Sequence, residues 1–327
     1  MTVPMDPATD AVVPIPVPGG VAAPDRRTLF VTKARGGVQA VDLDSGAVGW
    51  SSLDASVPLL ATDSAVVAAV SPYGKERLAL VLFDPSTGES LLRTMPLSAP
   101  REQWELRGIA ADTDGVTIWW TTHRTFGGPP PRIVDDALLT QRSIERAHRV
   151  LWRDPVAQPV SVPMPSSAAL TTRSGGGIPD VNGALFRWTV NGAEHEVVQR
   201  RMPDGVSSLL LTADGERHTL LTPAPAIGYV DVYVSDLGSR LILLVTNDAP
   251  VGNAAPGTAL VWHLYSVPDG APLGSLPFEP GMEIPPAAFG DHFLVRSADG
   301  MLRCLTLPAG SELWAVPTAG PIPRRPG

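Results

Sequence analysis

Few residues in this sequence combine the types and the spacing that chemistry requires. The six histidines are scattered, and no two follow the HxH or HxxxH spacing that places imidazoles on one metal ion. The single cysteine, Cys304, excludes an intrachain disulfide, and the strand-like run Met301 to Leu307 around it predicts a buried structural side chain. The chain has no GxSxG elbow, no Walker-type loop and no GxGxxG between a strand and a helix. No catalytic residue, metal ligand or cofactor is therefore assigned.

The densest group of charged side chains is basic. Between Arg124 and Arg153 the sequence has six arginines and three acidic residues, in a chain whose net charge is −8. The segment IVDDALLTQRSIERAHR, residues 133–149, predicts a short helix with Asp135 and Asp136 in its first turn and arginines towards its end, as the helix dipole favours. This insertion either docks an acidic partner surface or is a solvated helix that rests on its apolar side.

Composition indicates which elements must position these residues. The chain has 327 residues, of which 44% are hydrophobic, with 35 prolines and 31 glycines. Such a composition favours short strands and many tight turns over helices. The acidic net charge and a pI of about 5.2 oppose nucleic-acid binding.

The N-terminal segment does not resemble a targeting signal. Met1 to Gly20 contains Asp6, Asp10 and five prolines in place of a basic region followed by an apolar run. No apolar stretch approaches the roughly 20 residues that span a bilayer. We therefore expect no membrane span and a cytoplasmic location.

A repeat organises the chain. Val38 to Trp50, VQAVDLDSGAVGW, and Leu302 to Trp314, LRCLTLPAGSELW, share alternating apolar residues, a turn that ends in glycine and a tryptophan four positions later. Four weaker copies lie between them, at Leu80 to Leu92, Val150 to Val162, Leu209 to Leu221 and His263 to Leu276. Each copy predicts a hairpin, and an apolar strand-like run precedes each one.

The segments LFVTKARGGVQAVDLDSGAVGW and FLVRSADGMLRCLTLPAGSELW resemble the PQQ-like repeat and are close to YVTN- and WD40-type propeller repeats. The resemblance implies an all-β fold and a single β-propeller. The six copies predict six four-stranded blades, or seven, with the helical insertion in the third blade. The expected domains are a tail or closing strand at 1–20, the propeller at 21–317 and a tail at 318–327. PQQ-dependent dehydrogenases also carry a calcium ion and a vicinal cysteine pair; with one cysteine present, no cofactor residue is transferred. Trp50 and Trp314 are expected to pack between blades.

The repeat register assigns the connections to two ends of each blade. With strands lettered A to D, the A–B and C–D turns are short and lie at one end, whereas the longer B–C and D–A connections lie at the other. We expect this second end to bind a protein partner. The candidate partner-binding residues are Tyr73, His123, Arg124, Arg132, Arg142, Arg146, Arg149, Asp248 and Asn253.

Two functions are compatible with this arrangement. The favoured one is a non-enzymatic scaffold that presents loops for protein–protein interaction. The alternative is a metal-dependent hydrolase or lactonase-like enzyme with its site in the central channel, where ligands come from separate blades. The candidate ligands near inner-strand ends, for which a role in surface turns is the favoured interpretation, are Asp112, Asp180, Asn182, Asp231 and Glu283.

Overall fold

The computed structural model describes most of the chain. The described residues are 5–6, 11–70, 77–98, 103–123, 143–152, 160–162, 185–190, 192–202, 205–212, 214–221, 229–246, 260–279, 281–283 and 285–319. They are all-β, with one turn of 3-10 helix at Asp236–Gly238. No helix in this part of the chain is long and apolar enough to cross a membrane.

The strands are short, as the proline and glycine content predicts. The first fourteen are β1 (Met5–Asp6), β2 (Ala11–Val12), β3 (Ile15–Val17), β4 (Gly20–Ala22), β5 (Thr28–Thr32), β6 (Val38–Asp42), β7 (Val48–Ser52), β8 (Val57–Ala61), β9 (Val66–Val70), β10 (Arg77–Phe83), β11 (Ser90–Arg93), β12 (Leu97–Ser98), β13 (Gln103–Ala111) and β14 (Gly115–His123). The other fourteen are β15 (Ser143–Leu151), β16 (Val160–Val162), β17 (Leu185–Val190), β18 (Ala193–Met202), β19 (Gly205–Leu211), β20 (Arg217–Leu221), β21 (Tyr229–Ser235), β22 (Arg240–Thr246), β23 (Leu260–Ser266), β24 (Pro272–Phe278), β25 (Ala287–Phe289), β26 (His292–Arg296), β27 (Met301–Thr306) and β28 (Glu312–Pro317).

The chain divides into two compact units. Unit 1 comprises residues 1–14, 20–41 and 48–170, and unit 2 comprises residues 15–19, 42–47 and 171–327. Unit 1 contains the meanders β4–β7 and β8–β11, with β12 paired to β10, and a sheet in the order β1-β2-β13-β14-β15-β16. Unit 2 contains three four-stranded antiparallel meanders, β17–β20, β21–β24 and β25–β28. Consecutive four-stranded units are therefore the repeat of this fold.

All six predicted hairpins are present, as β6–β7, β10–β11, β15–β16, β19–β20, β23–β24 and β27–β28. In five of them the turn glycine has a positive φ: Gly46, Gly88, Gly215, Gly270 and Gly310. This left-handed conformation is the reason for a glycine at the template position. In the remaining hairpin, β15–β16, Gln158 occupies the position of the turn glycine and lies outside the described residues.

Each unit has apolar clusters between its sheets. In unit 1, Leu80 and Ile118 belong to one cluster, and Phe30 and Phe83 belong to another; all four are almost fully buried. In unit 2, Trp262 is fully buried and its ring lies 5.4 Å from that of Phe278. Alternating apolar positions on the strands supply these contacts.

The predicted helix at 133–149 is not confirmed. Residues 124–142 lie outside the described part, but Ser143–Leu151 is strand β15 and pairs with β14 from Gly115↔Leu151 to His123↔Ser143. Helix propensity is a weak preference, and pairing with the long apolar strand β14 satisfies the backbone of this segment instead. The segment between β14 and β15 therefore comprises residues 124–142.

Candidate functional site

Four of the five described C–D turns are occupied by packing. In unit 1, the Trp50 indole Nε1 donates a hydrogen bond to the Pro85 carbonyl oxygen at 2.9 Å, and a Cβ at Gly88 would lie 2.4 Å from the Trp50 ring. Trp50 also contacts Phe30 and Phe83, with ring centroids 5.8 Å away in each case. Trp50 thus packs between two sheets, as predicted.

The same contact recurs in unit 2. The Trp314 Nε1 donates to the Leu43 carbonyl oxygen at 2.7 Å, and a Cβ at Gly46 would approach the Trp314 ring to 2.5 Å. Two further turn glycines lie against a D strand: Gly270 on His218 and Gly310 on Leu276, each leaving 2.6 Å for a Cβ. The turn glycine therefore has two roles in the repeat. It adopts a positive φ, and its lack of a side chain leaves room for the D-strand residue that packs on it.

The predicted partner-binding residues fall into three groups. Those outside the described residues are Tyr73, Arg124, Arg132, Arg142, Asp248 and Asn253. His123 and Arg146 lie on paired strands, opposite Ser143 and Trp120 respectively. Arg149 has a described environment.

Arg149 belongs to a polar network within its own sheet. Its Nη2 donates to Asp112 Oδ1 at 2.5 Å and its Nη1 to Thr117 Oγ1 at 3.2 Å, while the Trp152 indole donates to the Asp112 carbonyl oxygen at 2.9 Å. Burial acts to raise the pKa of Asp112, but hydrogen bonds from Arg149 and from the backbone of Asp114 and Gly115 hold that pKa below its ordinary value. Asp112 is thus a turn and ion-pair residue.

At the B–C and D–A end, unit 2 contains a buried arginine. Arg296, the last residue of β26, is 1% exposed, and its Nη1 donates to Glu283 Oε2 at 2.9 Å while its Nε donates to Thr318 Oγ1 at 2.8 Å. Its Nη2 is buried and has no hydrogen-bond partner among the described residues. Glu283 belongs to the connection between β24 and β25, so this ion pair ties a D–A connection to a B strand.

Asp231 is the exception among the candidate channel ligands. It lies in the middle of β21 and not in a surface turn, and it is 7% exposed. Burial alone raises its pKa to about 6. Asp180 and Asn182 lie outside the described residues. In the described part of the chain, no three His, Cys, Asp or Glu side chains are grouped to hold a metal ion.

Cys304 has the structural environment that its strand predicts. It is fully buried in β27, and burial, with the negative charges of Asp291 and Asp44, raises the pKa of its thiol to about 12. A thiol in this environment stays protonated and unreactive at neutral pH.

A groove of about 460 Å³ lies at the A–B and C–D end of the sheet β17–β20, and no motif in the sequence predicts it. Its lining residues are Gly192, Ala193, Glu194, Glu196, Thr212, Gly215 and Arg217. Glu194 and Glu196 both make further interactions of their own. The alternation along β18 and β19 could have predicted that Glu196 lies opposite Leu211. The groove is formed only when the turns beside these strands fold together.

Comparison with known proteins finds similar solved structures. No protein-family model matches the chain, and no curated protein matches it. A quinohemoprotein alcohol dehydrogenase from Pseudomonas putida HK5 is 12% identical, with 89% of this chain and 57% of that chain covered and a TM-score of 0.26. BamB from Moraxella catarrhalis is 15% identical, with 94% of this chain and 76% of that chain covered and a TM-score of 0.26. The WD40 domain of SCAP from fission yeast is 9% identical, with 92% of this chain and 97% of that chain covered and a TM-score of 0.33.

This chain thus spans 57% of the dehydrogenase that it resembles. The similar structures include an enzyme, BamB and a WD40 domain.

Proposed function

We propose that this chain is a six-bladed β-propeller scaffold that binds a protein partner through its B–C and D–A loops. The proposal assigns no catalytic residue and no cofactor to the chain. The partner surface is expected to be acidic where it meets the arginines of the third repeat.

The occupation of the C–D turns carries this proposal. Four turn glycines lie directly against a D-strand side chain, and two of these turns also accept an indole hydrogen bond. Turns committed to packing hold the frame rigid and cannot rearrange around a ligand. Recognition then belongs to the opposite end, since loops on a rigid frame lose little entropy when they bind.

The longest loops and the densest group of arginines both belong to that opposite end. The longest segments between consecutive strands are 124–142, 163–184 and 247–259, and each is a B–C or a D–A connection. Arg124, Arg132 and Arg142 lie in the first of them. An acidic partner surface would be attracted to this loop, and that attraction would weaken with salt.

Charge reversal in this loop tests the proposal. The chain captures its stoichiometric partner from an extract of the source organism, and the affinity of the purified partner is then measured for variants. We expect the double variant Arg132→Glu and Arg142→Glu to raise Kd at least tenfold, with a salt dependence shallower than that of the wild type.

The matched control is Arg217→Glu, an exposed arginine at the C–D end of β20. It changes the net charge in the same sense and should leave Kd within about twofold of the wild type. Equal weakening by both changes, or no weakening by either, contradicts the loop assignment. One tightly bound calcium or zinc ion per chain, with a Tm raised by micromolar metal, would favour the channel-metal enzyme instead.

A further inference from the structure

The C–D turn of the fourth repeat, residues 212–216, differs from the other described C–D turns in its packing. The turn glycines of the other four are half-buried, and each lies against a D-strand side chain. Gly215 is exposed, and no atom of the described residues lies within 4 Å of a Cβ at this position. The turn therefore has the glycine of its repeat without the side chain that covers it elsewhere.

In all four covered turns, the covering side chain comes from the D strand of the repeat before. Trp50 of the first repeat lies on Gly88 of the second, and Trp314 of the last repeat lies on the turn of the first. The third repeat precedes the turn 212–216, and its residue at the tryptophan position is Val162. The sequence therefore supplies no indole for this turn.

The groove of about 460 Å³ lies at this turn, since Thr212, Gly215 and Arg217 are among its lining residues. Its volume is within the range of about 300–1,000 Å³ that is typical of ligand pockets. The Thr212 amide donates to the Glu216 carbonyl oxygen at 3.1 Å, and the Gly215 amide donates to the Thr212 carbonyl oxygen at 2.9 Å. The turn is thus ordered by its own hydrogen bonds, and an occupant does not have to order it in order to bind.

The charge around the groove is mainly acidic. Glu194 and Glu196 line it together with Arg217. The turn adds the exposed side chains of Asp214 and Glu216. These charges favour an occupant that carries a positive charge next to its aromatic group over one that carries a negative charge.

We propose that this groove binds a tryptophan side chain of a protein partner, with a lysine or arginine next to it in the partner's sequence. The indole takes the place over Gly215 that Trp50 takes over Gly88, and the basic neighbour faces the glutamates of the groove. The site lies at the A–B and C–D end of its sheet. It is therefore additional to the loops of the proposed function and does not depend on them.

Peptide titration of the full chain tests this site. The probe is N-acetyl-Trp-Lys-amide, and the NMR signals of the backbone amides report where it binds. We expect saturable shifts at residues 212–217, with a Kd on the order of 1 mM, and none at the turn 84–89, which Trp50 already covers. N-acetyl-Ala-Lys-amide should bind at least about tenfold more weakly. N-acetyl-Trp-Glu-amide should bind about twofold to fivefold more weakly, as expected for exposed charges.

Variants that fill the groove from its other wall separate this site from binding elsewhere. Ala193 is half-buried in β18 and lines the groove. Ala193→Leu and Ala193→Gln should each raise the Kd of N-acetyl-Trp-Lys-amide at least about tenfold, because the longer side chain takes the volume of the indole. Thr219→Leu, at an exposed position of β20 outside the groove lining, is the matched control and should leave Kd within about twofold of the wild type.

Three results would overturn the proposal. The first is the absence of saturable shifts at residues 212–217. The second is equal affinity for the tryptophan and alanine peptides. The third is wild-type affinity in both Ala193 variants.

Discussion

Asp231 and Asp299 carry the same side chain in opposite environments. Asp231 is buried in β21, where burial raises its pKa to about 6. Asp299 lies in an exposed turn, where hydrogen bonds from the Ser297 hydroxyl, the Met301 amide and Arg303 lower its pKa to about 2. The two carboxylates should therefore affect stability with opposite signs as pH changes.

For Asp231, the folded-state pKa is above the ordinary value of 3.8, so the folded protein binds the proton more tightly. Stability from this group is complete below about pH 4 and is lost as pH rises through 6. Asp231→Asn should raise the free energy of unfolding at pH 7–8 by about 2–3 kcal/mol and change it little at pH 4. Denaturant unfolding from pH 4 to 8 measures this.

Asp299 is the control, because its effect on stability has the opposite dependence on pH. The stabilisation from its ionised side chain is present above the ordinary pKa and is lost only as pH falls towards 2. Asp299→Asn should lower stability at pH 7. If Asp231→Asn were also destabilising at neutral pH, Asp231 would have to be held by a partner.

Two ion pairs in unit 2 differ in burial and should differ in strength. Arg296 is 1% exposed and pairs with Glu283, whereas the pair between Arg303 and Glu312 is 30% and 44% exposed. Glu283→Gln leaves a buried guanidinium without its counter-charge and should cost about 2–4 kcal/mol. Glu312→Gln should cost under about 1 kcal/mol, because its pair is solvated. Equal losses in urea unfolding would contradict a buried role for Arg296.

At the scale of the element, the C–D turn is defined by a glycine, and in four of the five described turns a D-strand side chain of another repeat covers it. Gly88 and Gly215 occupy equivalent turns and have similar backbones, with φ of 72° and 85°. Trp50 lies against Gly88, but no atom of the described residues lies within 4 Å of a Cβ at Gly215. Comparing substitutions at Gly88 and Gly215 therefore separates the cost of a left-handed backbone from the cost of steric overlap with Trp50.

Gly215→Ala should cost about 1–2 kcal/mol, from the left-handed backbone alone. Gly88→Ala should cost about 1–3 kcal/mol more, because the methyl group displaces the Trp50 ring. Thermal unfolding of the two variants, with tryptophan fluorescence to follow Trp50, checks the difference. Similar Tm losses would mean that the turn does not depend on the indole.

At the scale of the whole molecule, the proposed six-bladed propeller makes a prediction about particle shape. The proposal predicts a ring of six segments in face-view class averages from electron microscopy. Seven segments, or two lobes joined by a linker, would contradict six blades in one ring.

The hairpins were predictable because their information is local. Alternating apolar residues and a turn glycine specify two strands and the bend between them, as in the hairpin β27–β28. The segment 143–149 was predicted wrongly, since its helical features are also local and the pairing that overrides them comes from β14, 20 or more residues earlier in the chain.

What the sequence determined by itself is the repeat, its turns and an all-β chain, because each follows from neighbouring residues. Only the tertiary structure decided that Gly88 lies under Trp50, that Arg296 is buried beside Glu283, and that Asp44 lies next to His292. These contacts join residues far apart in sequence, and their strength depends on burial. The periodicity of apolar residues along the chain does not predict how deeply these contacts are buried.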